Sequence, residues 1–277
     1  MAHQPLIKKI YKKRPAWSHK GDFGSLLVVG GSKDYSGSPA FNVLAAYRAG
    51  CDLVRLMSPE PAAAVCKKFS PDVIAFPLKG DYLSGKHVKQ ILDIQKKSDA
   101  LIIGCGLTRN KGTMRVARSI LSRTRIPTVI DADTIYVANK VRLPKECIIT
   151  PHAAEFLSLT GEKVSSNIED RKGKAKAAAK DLGCVVLLKG HVDVISDGRR
   201  TEINRTGNPY MTKGGTGDIL AGVCGALLAR SVSAFEAACA AAYITGRAGD
   251  MAARKLGEGT LASDIVEFIP KVIQSRK

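Results

Sequence analysis

No stretch of this chain is apolar for long enough to cross a bilayer, and the basic opening MAHQPLIKKIYKKRPAW lacks the apolar core of a secretory signal. A soluble, cytoplasmic protein is therefore expected. There is no Cys-x-x-Cys pair among the seven cysteines, at positions 51, 66, 105, 147, 184, 224 and 239. Their odd number and wide spacing argue against a disulfide framework or a zinc site and fit reduced core thiols. Two familiar phosphate motifs are also missing: neither a Gly-x-x-x-x-Gly-Lys-Ser/Thr loop nor a Gly-x-Gly-x-x-Gly after the first strand occurs. Any phosphate must be held another way. No repeat, low-complexity tract or linker interrupts the sequence, so a single domain over residues 1–277 is expected.

Acidic residues are few, 25 against 43 lysines and arginines, which leaves a formal charge of +18. That excess favours anionic partners without choosing among them. With aromatics at only 5% and no arginine-rich tail or interleaved aromatic platform, a nucleotide is preferred to a nucleic acid. The lysines at 172, 174, 176 and 180 read as a solvated helix face. No membrane partner is expected.

What is present is an ordinary globular composition, 45% hydrophobic and 25% charged. Short β-branched runs alternate with longer helix-like stretches, as in a mostly parallel sheet with helices on both faces. The runs Ser25 to Val29, Leu53 to Met57, Val73 to Phe76, Ala100 to Ile103, Thr128 to Ile130, Cys147 to Ile149 and Val185 to Leu188 predict strands. Asp193 to Ser196 and Thr201 to Asn204 flank Asp197-Gly198 and predict a closing antiparallel hairpin with a tight turn. Helical spacing recurs at Phe41 to Ala49, Gly85 to Lys97, Thr113 to Ser122 and Asn167 to Leu182. Two helices rich in alanine and leucine, Gly217 to Ala229 and Ala234 to Lys255, predict close packing.

The sharpest chemical signal is NPYMTKGGTGD, residues 208–218, running directly into ILAGVCGALLA. Three glycines in four positions ahead of a long helix can present several N–H groups, and the helix dipole, to a phosphate. Asp218 falls in the first helical turn, where its ionised form can take a proton from a substrate hydroxyl. The alternative is a capping aspartate after a flexible loop.

Other strand ends carry similar residues. Gly30-Gly31-Ser32 follows the first strand and Gly104-Cys105-Gly106 the fourth, where ligands approach open α/β sheets. Asp131 and Asp133 follow the fifth, and His152 and Glu155 the sixth. These acids can hold Mg²⁺ through water, Asp131 and Glu155 before Asp133, while His152 can meet a substrate ring; each is also an ordinary capping residue. Lys189, at the end of the seventh strand, suits a nucleotide's phosphates or is a plain surface charge. Turns of this kind at five strand ends predict one shared cleft.

Taken together, HKGDFGSLLVVGGS, YSGSPAFNVLAAYRAG, GCGL, IDAD, ITPHAAEF, LLKGH and NPYMTKGGTGDILAG resemble the ribokinase-like NAD(P)H-hydrate dehydratase family, in the same order and from about Trp17 to Phe268. The resemblance implies a three-layer ribokinase-like α/β fold. It also implies a metabolite-repair lyase that returns the S-form of hydrated NADH or NADPH to the normal cofactor. The co-substrate is ADP, more than ATP, with Mg²⁺, and ADP is released as AMP and phosphate. It further implies a homo-oligomer, with a tetramer among its forms, and no epimerase domain ahead of residue 1. Residue by residue, Ala40, Gly106, His152 and Asp218 match positions that contact the hydrated nicotinamide, with Asp218 as the base. Lys189, Gly190, His191, Val192, Asp193 and Gly217 match nucleotide-binding positions, as does the stretch 208–215 through Asn208, Met211, Gly214 and Gly215, with Thr216 beside it.

Ser38 stands where the family often has alanine, and Tyr210 and Lys213 replace smaller residues. Lys213 is expected to reinforce phosphate binding and Tyr210 to narrow the nucleotide pocket. The nearest rival reading is a thiazole or pyrimidine vitamin-precursor kinase of the same superfamily. Those kinases typically carry asparagine at the position of His152 and generally lack the HKGDFG entrance. A second rival is a non-catalytic nucleotide- or RNA-binding protein, which an intact Asp218 beside an intact glycine turn disfavours.

Overall fold

The computed structural model describes residues 3–275. Nine strands form one sheet: β1 (Ser25–Val29), β2 (Leu53–Pro59), β3 (Ile74–Leu78), β4 (Ala100–Ile103), β5 (Thr128–Ile130), β6 (Cys147–Ile149), β7 (Val185–Leu188), β8 (Asp193–Ser196) and β9 (Thr201–Asn204). Their order is β3-β2-β1-β4-β5-β6-β7-β8-β9, parallel through β7 and antiparallel from β7 to β9. Among the described residues the helices are α1 (His3–Ile10), α2 (Gly37–Arg48), α3 (Glu60–Cys66), α4 (Val88–Gln95), α5 (Lys111–Arg123), α6 (Ile135–Ala138), α7 (Ala153–Thr160), α8 (Ile168–Leu182), α9 (Thr216–Ala229), α10 (Ala234–Leu256) and α11 (Ala262–Gln274).

The three layers follow from the two-residue period of a strand. Leu26, Val28, Ala100, Ile102, Val185 and Leu187 pack under α1, α2 and α9–α11. Their neighbours Leu27, Val29, Leu101, Ile103, Val186 and Leu188 pack under α4–α8. Because both faces are covered, the central strands are buried at every position and read as near-continuous apolar runs. Truncating a side chain such as Ile102 to alanine would cost roughly 2–5 kcal/mol.

The chain starts at β1, steps outward to β3, then returns to lay β4 on the other side of β1. At this reversal the helices change faces, and the carboxyl ends of the strands are where open α/β sheets take ligands. The loops there are tied together, since the Gly31 N–H donates to the Cys105 carbonyl at 2.8 Å. Position, rather than any motif, makes this end of the sheet the place for a ligand.

Seven of the nine predicted strands have the expected bounds. The exceptions are β2, which runs on to Pro59, and β3, which is shifted to Ile74–Leu78. Pro77 lies inside β3, tolerated because β3 is the sheet edge. The hairpin turn is longer than Asp197-Gly198 suggests: Ser196 pairs with Thr201, leaving four residues between the strands, and Asp197 Oδ1 accepts from the Arg199 and Arg200 N–H groups. All seven cysteines are buried and free. Among the described residues no helix is long and apolar enough to cross a membrane.

One expected partner of the site lies elsewhere. The HKGDFG segment precedes β1, and a Cβ on Gly24 would fall 2.7 Å from the Ala229 carbonyl, at the last residue of α9. Asp218 is in the first turn of that same helix, and 14 residues at 1.5 Å each put the two ends about 20 Å apart. HKGDFG is thus a structural loop at the far end of the sheet, not an entrance at the carboxyl ends of the strands.

Candidate active site

α9 reaches the carboxyl ends of the strands with its N-terminus. Gly215 caps it at φ +98°, a left-handed conformation, and a Cβ there would lie 2.5 Å from the Phe41 ring. Glycine is required on both counts. The helix is held against α2 by Asn42 Nδ2, which donates to the Asp218 carbonyl at 2.7 Å. First-turn N–H groups of α9 have no intrahelical carbonyl to bond, so they remain donors at the mouth of a cavity.

That cavity measures about 830 Å³, within the range of small-molecule sites. It collects Asp131, His152, Lys189, Gly190, His191 and Asp193 from the ends of β5, β6 and β7. Asn208, Met211, Gly214, Gly215, Thr216, Gly217 and Asp218 close it from the other side. Most of the residues singled out in the sequence therefore meet in one place, although 87 residues separate Asp131 from Asp218 (218 − 131).

Around Asp218 the electrostatics are uneven. Burial pushes its carboxyl up to about 6, and the neighbouring Asp131 charge adds to the effect; hydrogen bonds from Cys105 and Ser38 and the Lys189 charge act the other way. Near neutral pH it is therefore mostly ionised yet holds a proton well, as a general base requires. Asp131 is 2% exposed and is held by Thr150 Oγ1 at 2.6 Å and by Lys189 Nζ at 3.1 Å. Burial alone would lower the Lys189 ammonium, but Asp131 and Glu155, the latter 3.7 Å away, more than offset it and raise it. Lys189 stays charged, and its Nζ is 3.3 Å from where a Cβ on Gly217 would sit. The cation and the glycine turn are therefore neighbours on the cavity wall.

The β7–β8 turn is rigid. Asp193 accepts from the Gly190 N–H and from Asn204 Nδ2, each at 3.0 Å, while Arg171 donates to the Leu188 and Lys189 carbonyls. Burial raises the Asp193 carboxyl, against these hydrogen bonds. His191 is exposed at the rim and Val192 buried beneath the turn, outside the cavity lining. His152 caps α7: its Nδ1 accepts from the Ala154 and Glu155 N–H groups, and Glu155 Oε2 accepts from the His152 N–H at 2.8 Å. Its ring is still half-exposed and lines the cavity.

Ala40 and Gly106 are buried and lie outside the cavity lining. They adjoin it through Ser38 and Cys105, whose side chains bond Asp218. A Cβ on Gly106 would sit 3.3 Å from Ser38 Cβ and 2.9 Å from Tyr35 Cβ, so these residues form a second wall behind the carboxylate.

The carboxylates proposed for magnesium are already engaged. Lys189 lies between Asp131 and Glu155, and Glu155 completes the α7 cap. Asp133 is turned away, its Oδ2 accepting from the Thr108 N–H at 2.8 Å. Cys105 Sγ and oxygens of Asp131 and Asp218 come within 4.8 Å of one another, but a thiol is a poor partner for Mg²⁺. As direct magnesium ligands these residues do not fit.

One expected role fails for a geometric reason: Tyr210 is 41% exposed and outside the lining, so it does not narrow the pocket. Lys213 lines the cavity, and its Nζ donates to the Glu258 carbonyl at 2.7 Å. Residues the sequence did not single out complete the site: Thr150 holds Asp131, Cys105 bridges Asp131 and Asp218, and Leu220, Ala242, Thr245 and Gly246 line the cavity. For Cys105 a signal existed, its place between two glycines at a strand end. For the α10 residues there was none.

Comparison with known proteins agrees with this geometry. A family model described as NAD(P)H-hydrate dehydratase matches residues 26–271. An ADP-dependent (S)-NAD(P)H-hydrate dehydratase from Cenarchaeum symbiosum is 38% identical over 272 residues, covering 97% of this chain and 94% of that protein. A bifunctional NAD(P)H-hydrate repair enzyme from Pyrobaculum aerophilum is 44% identical over 263 residues, covering 94% of this chain and 52% of the relative. The chain thus spans about half the length of the bifunctional relatives it matches. The ADP/ATP-dependent NAD(P)H-hydrate dehydratase of Bacillus subtilis, crystallised with ATP and Mg²⁺, superposes with a TM-score of 0.84 at 25% identity, covering 99% of this chain and 97% of that one. Matched by that family model from residue 26 to residue 271, and at 38% identity over nearly the full length of the Cenarchaeum enzyme, this chain belongs to the NAD(P)H-hydrate dehydratase family.

Proposed function

We propose that this protein dehydrates the S-form of hydrated NADH and NADPH at the expense of a nucleotide, with ADP ahead of ATP. The observation that carries the reading is Asp218, a carboxylate pushed up to about 6 by burial, at the head of a glycine-capped helix whose Gly217 adjoins the Lys189 ammonium at the wall of the cavity.

Asp218 takes the proton of the ring hydroxyl as its oxygen attacks the terminal phosphorus of the nucleotide. A phosphate ester forms, and the bond from phosphorus to the bridging oxygen breaks, so that ADP leaves as AMP. Charge on the moving phosphoryl group meets the N–H groups of the glycine turn, with Lys189 adding a fixed positive charge. Phosphate then departs, driven by the electron pair of the ring nitrogen, and the neighbouring carbon gives up a proton to restore the dihydropyridine. Ala40, Gly106 and His152 hold the hydrated ring, and positioning supplies much of the acceleration. Lys189 to Asp193, Asn208, Met211 and Gly214 to Gly217 hold the nucleotide.

Mg²⁺ would be carried by the nucleotide's phosphates and would offset their charge there, with Asp131 and Glu155 placed to hold it through water and not directly. The same family reading carries homo-oligomeric assembly and a cytoplasmic location, the latter supported by seven free, buried thiols.

The test is to mix the protein with hydrated NADH, Mg²⁺ and either ADP or ATP and follow the dihydronicotinamide absorbance. Recovery that depends on ADP, with release of AMP and phosphate, is the expected result. No recovery with either nucleotide would overturn the reading.

A further inference from the structure

The stretch that closes the cavity, from Thr206 to Gly215, has little regular structure of its own beyond one 3₁₀ turn at Pro209–Met211. Its rigidity comes from α10. Thr206 Oγ1 donates to Asn204 Oδ1 at 2.8 Å and lies 3.4 Å from the Tyr243 carbonyl, and Asn208 Nδ2 donates to Asp250 Oδ1 at 3.2 Å. Between these bonds α10 offers two gaps in its side-chain surface, at Gly246 and Gly249. A Cβ on Gly246 would lie 2.7 Å from the Thr206 backbone carbonyl. One on Gly249 would collide with Met211 Sδ and lie 2.6 Å from its Cε. Met211 is thus a peg whose thioether fills the gap at Gly249.

Gly249 does not itself line the cavity, whereas Met211, Asn208 and Gly246 do. Along the same wall Thr245 is 3% exposed, and its Oγ1 has no hydrogen-bond partner.

We infer that Gly249, with Gly246, is a positioning residue for the nucleotide: α10 seats Met211 and Thr206, and the closeness of that seat sets nucleotide affinity. The inference rests on the nucleotide-dependent reading above. A methyl group on Gly249 would expel the flexible Met211 side chain and shift the Asn208–Gly215 stretch, while leaving Asp218, which is anchored through α9 and Asn42, in place. Displacements of this size at a site can cost one to two orders of magnitude.

The experiment measures ADP binding directly by calorimetry, then KM and kcat, on the whole chain. Gly249→Ala is expected to weaken ADP binding about tenfold and raise KM for ADP in step, with kcat at saturating ADP within about twofold. Removing the peg should relieve the clash, so Gly249→Ala/Met211→Ala should bind ADP within about threefold of Met211→Ala alone. Should Gly249→Ala not fold by itself, that comparison carries the test. ADP binding unchanged by Gly249→Ala, or a double variant as much weaker than Met211→Ala as Gly249→Ala is than the unaltered protein, would overturn the inference while leaving the proposed function intact. Failure of the unaltered protein to bind ADP would overturn both.

Discussion

The two ends of the sheet carry similar residues and behave oppositely. At the amino end, Asp52 sits under the HKGDFG loop and accepts from the Gly21 and Phe23 N–H groups and from Arg14. Burial alone would raise its carboxyl, but the Phe23 N–H, Arg14 and the Gly21 N–H outweigh it and hold it below the ordinary carboxylate value. Arg230 is stacked on Tyr11 and Phe23 and donates to the Gly50 carbonyl at 2.9 Å. At the carboxyl end, Asp218 is raised to about 6, and the Thr216 and Thr245 hydroxyls are buried without partners. At one end both Asp52 oxygens are paired, although Arg230 Nε is buried without a partner; at the other the same residue types frame an open cleft. What separates them is whether backbone N–H groups are turned toward the carboxylate or left for a ligand.

The sharpest way to break this contrast is Asp218→Asn. Turnover should fall by about 10³, the range expected for loss of a general base, while ADP binding by calorimetry stays within a few-fold. Near-normal turnover would remove Asp218 from the base role. The same variant tests the pH dependence of stability. Because Asp218 is raised in the folded state, the stability it contributes is present below pH 4 and is lost as pH rises through about 6. Urea melts across that window should lose this downward component in Asp218→Asn. In the unaltered protein kcat should fall on the acid side near pH 6.

Next in size is Lys189→Met, which leaves Asp131 buried without its cation. Turnover should drop about 10²-fold and stability by about 3 kcal/mol, since breaking a buried pair strands a charge. The acid limb of kcat should move above 6, because the Lys189 charge holds the Asp218 carboxyl down. An unmoved limb would show that the two groups are not coupled.

The smallest effect sharpens the contrast from the other end. Asp52→Asn should cost about 1–2 kcal/mol in urea unfolding and leave kcat and KM unchanged. Asp52 is depressed in the folded state, so its contribution is present above pH 4 and lost as pH falls through its folded value, the reverse of Asp218. A fall in kcat on changing Asp52 would mean that the HKGDFG loop reaches the site after all.

Much of this was legible in advance, for identifiable reasons. Strands buried on both faces are written as near-continuous apolar runs, which bounded β1 and β4–β7, while the Asp197-Gly198 turn marked β8 and β9. The short α3 and α6 and the N-terminal α1 escaped because seven, four and eight residues show too little period. α11 escaped in spite of its 13 residues; it contains Pro270, which forfeits one helical hydrogen bond. HKGDFG was misplaced because glycine and aspartate look alike in a satisfied turn and in an active one.

By itself the sequence determined the layered α/β class, the strand order in time, the glycine turn and Asp218 at the head of a helix, because each is encoded within a few consecutive residues. Tertiary structure alone decided the rest: that β4 returns beside β1, that Lys189 faces Gly217, that Cys105 and Thr150 complete the carboxylate pair, and that Met211 seats on α10. Those are contacts between residues far apart in the chain, where only the packing of whole helices on the sheet fixes which polar groups are satisfied and which remain for a ligand.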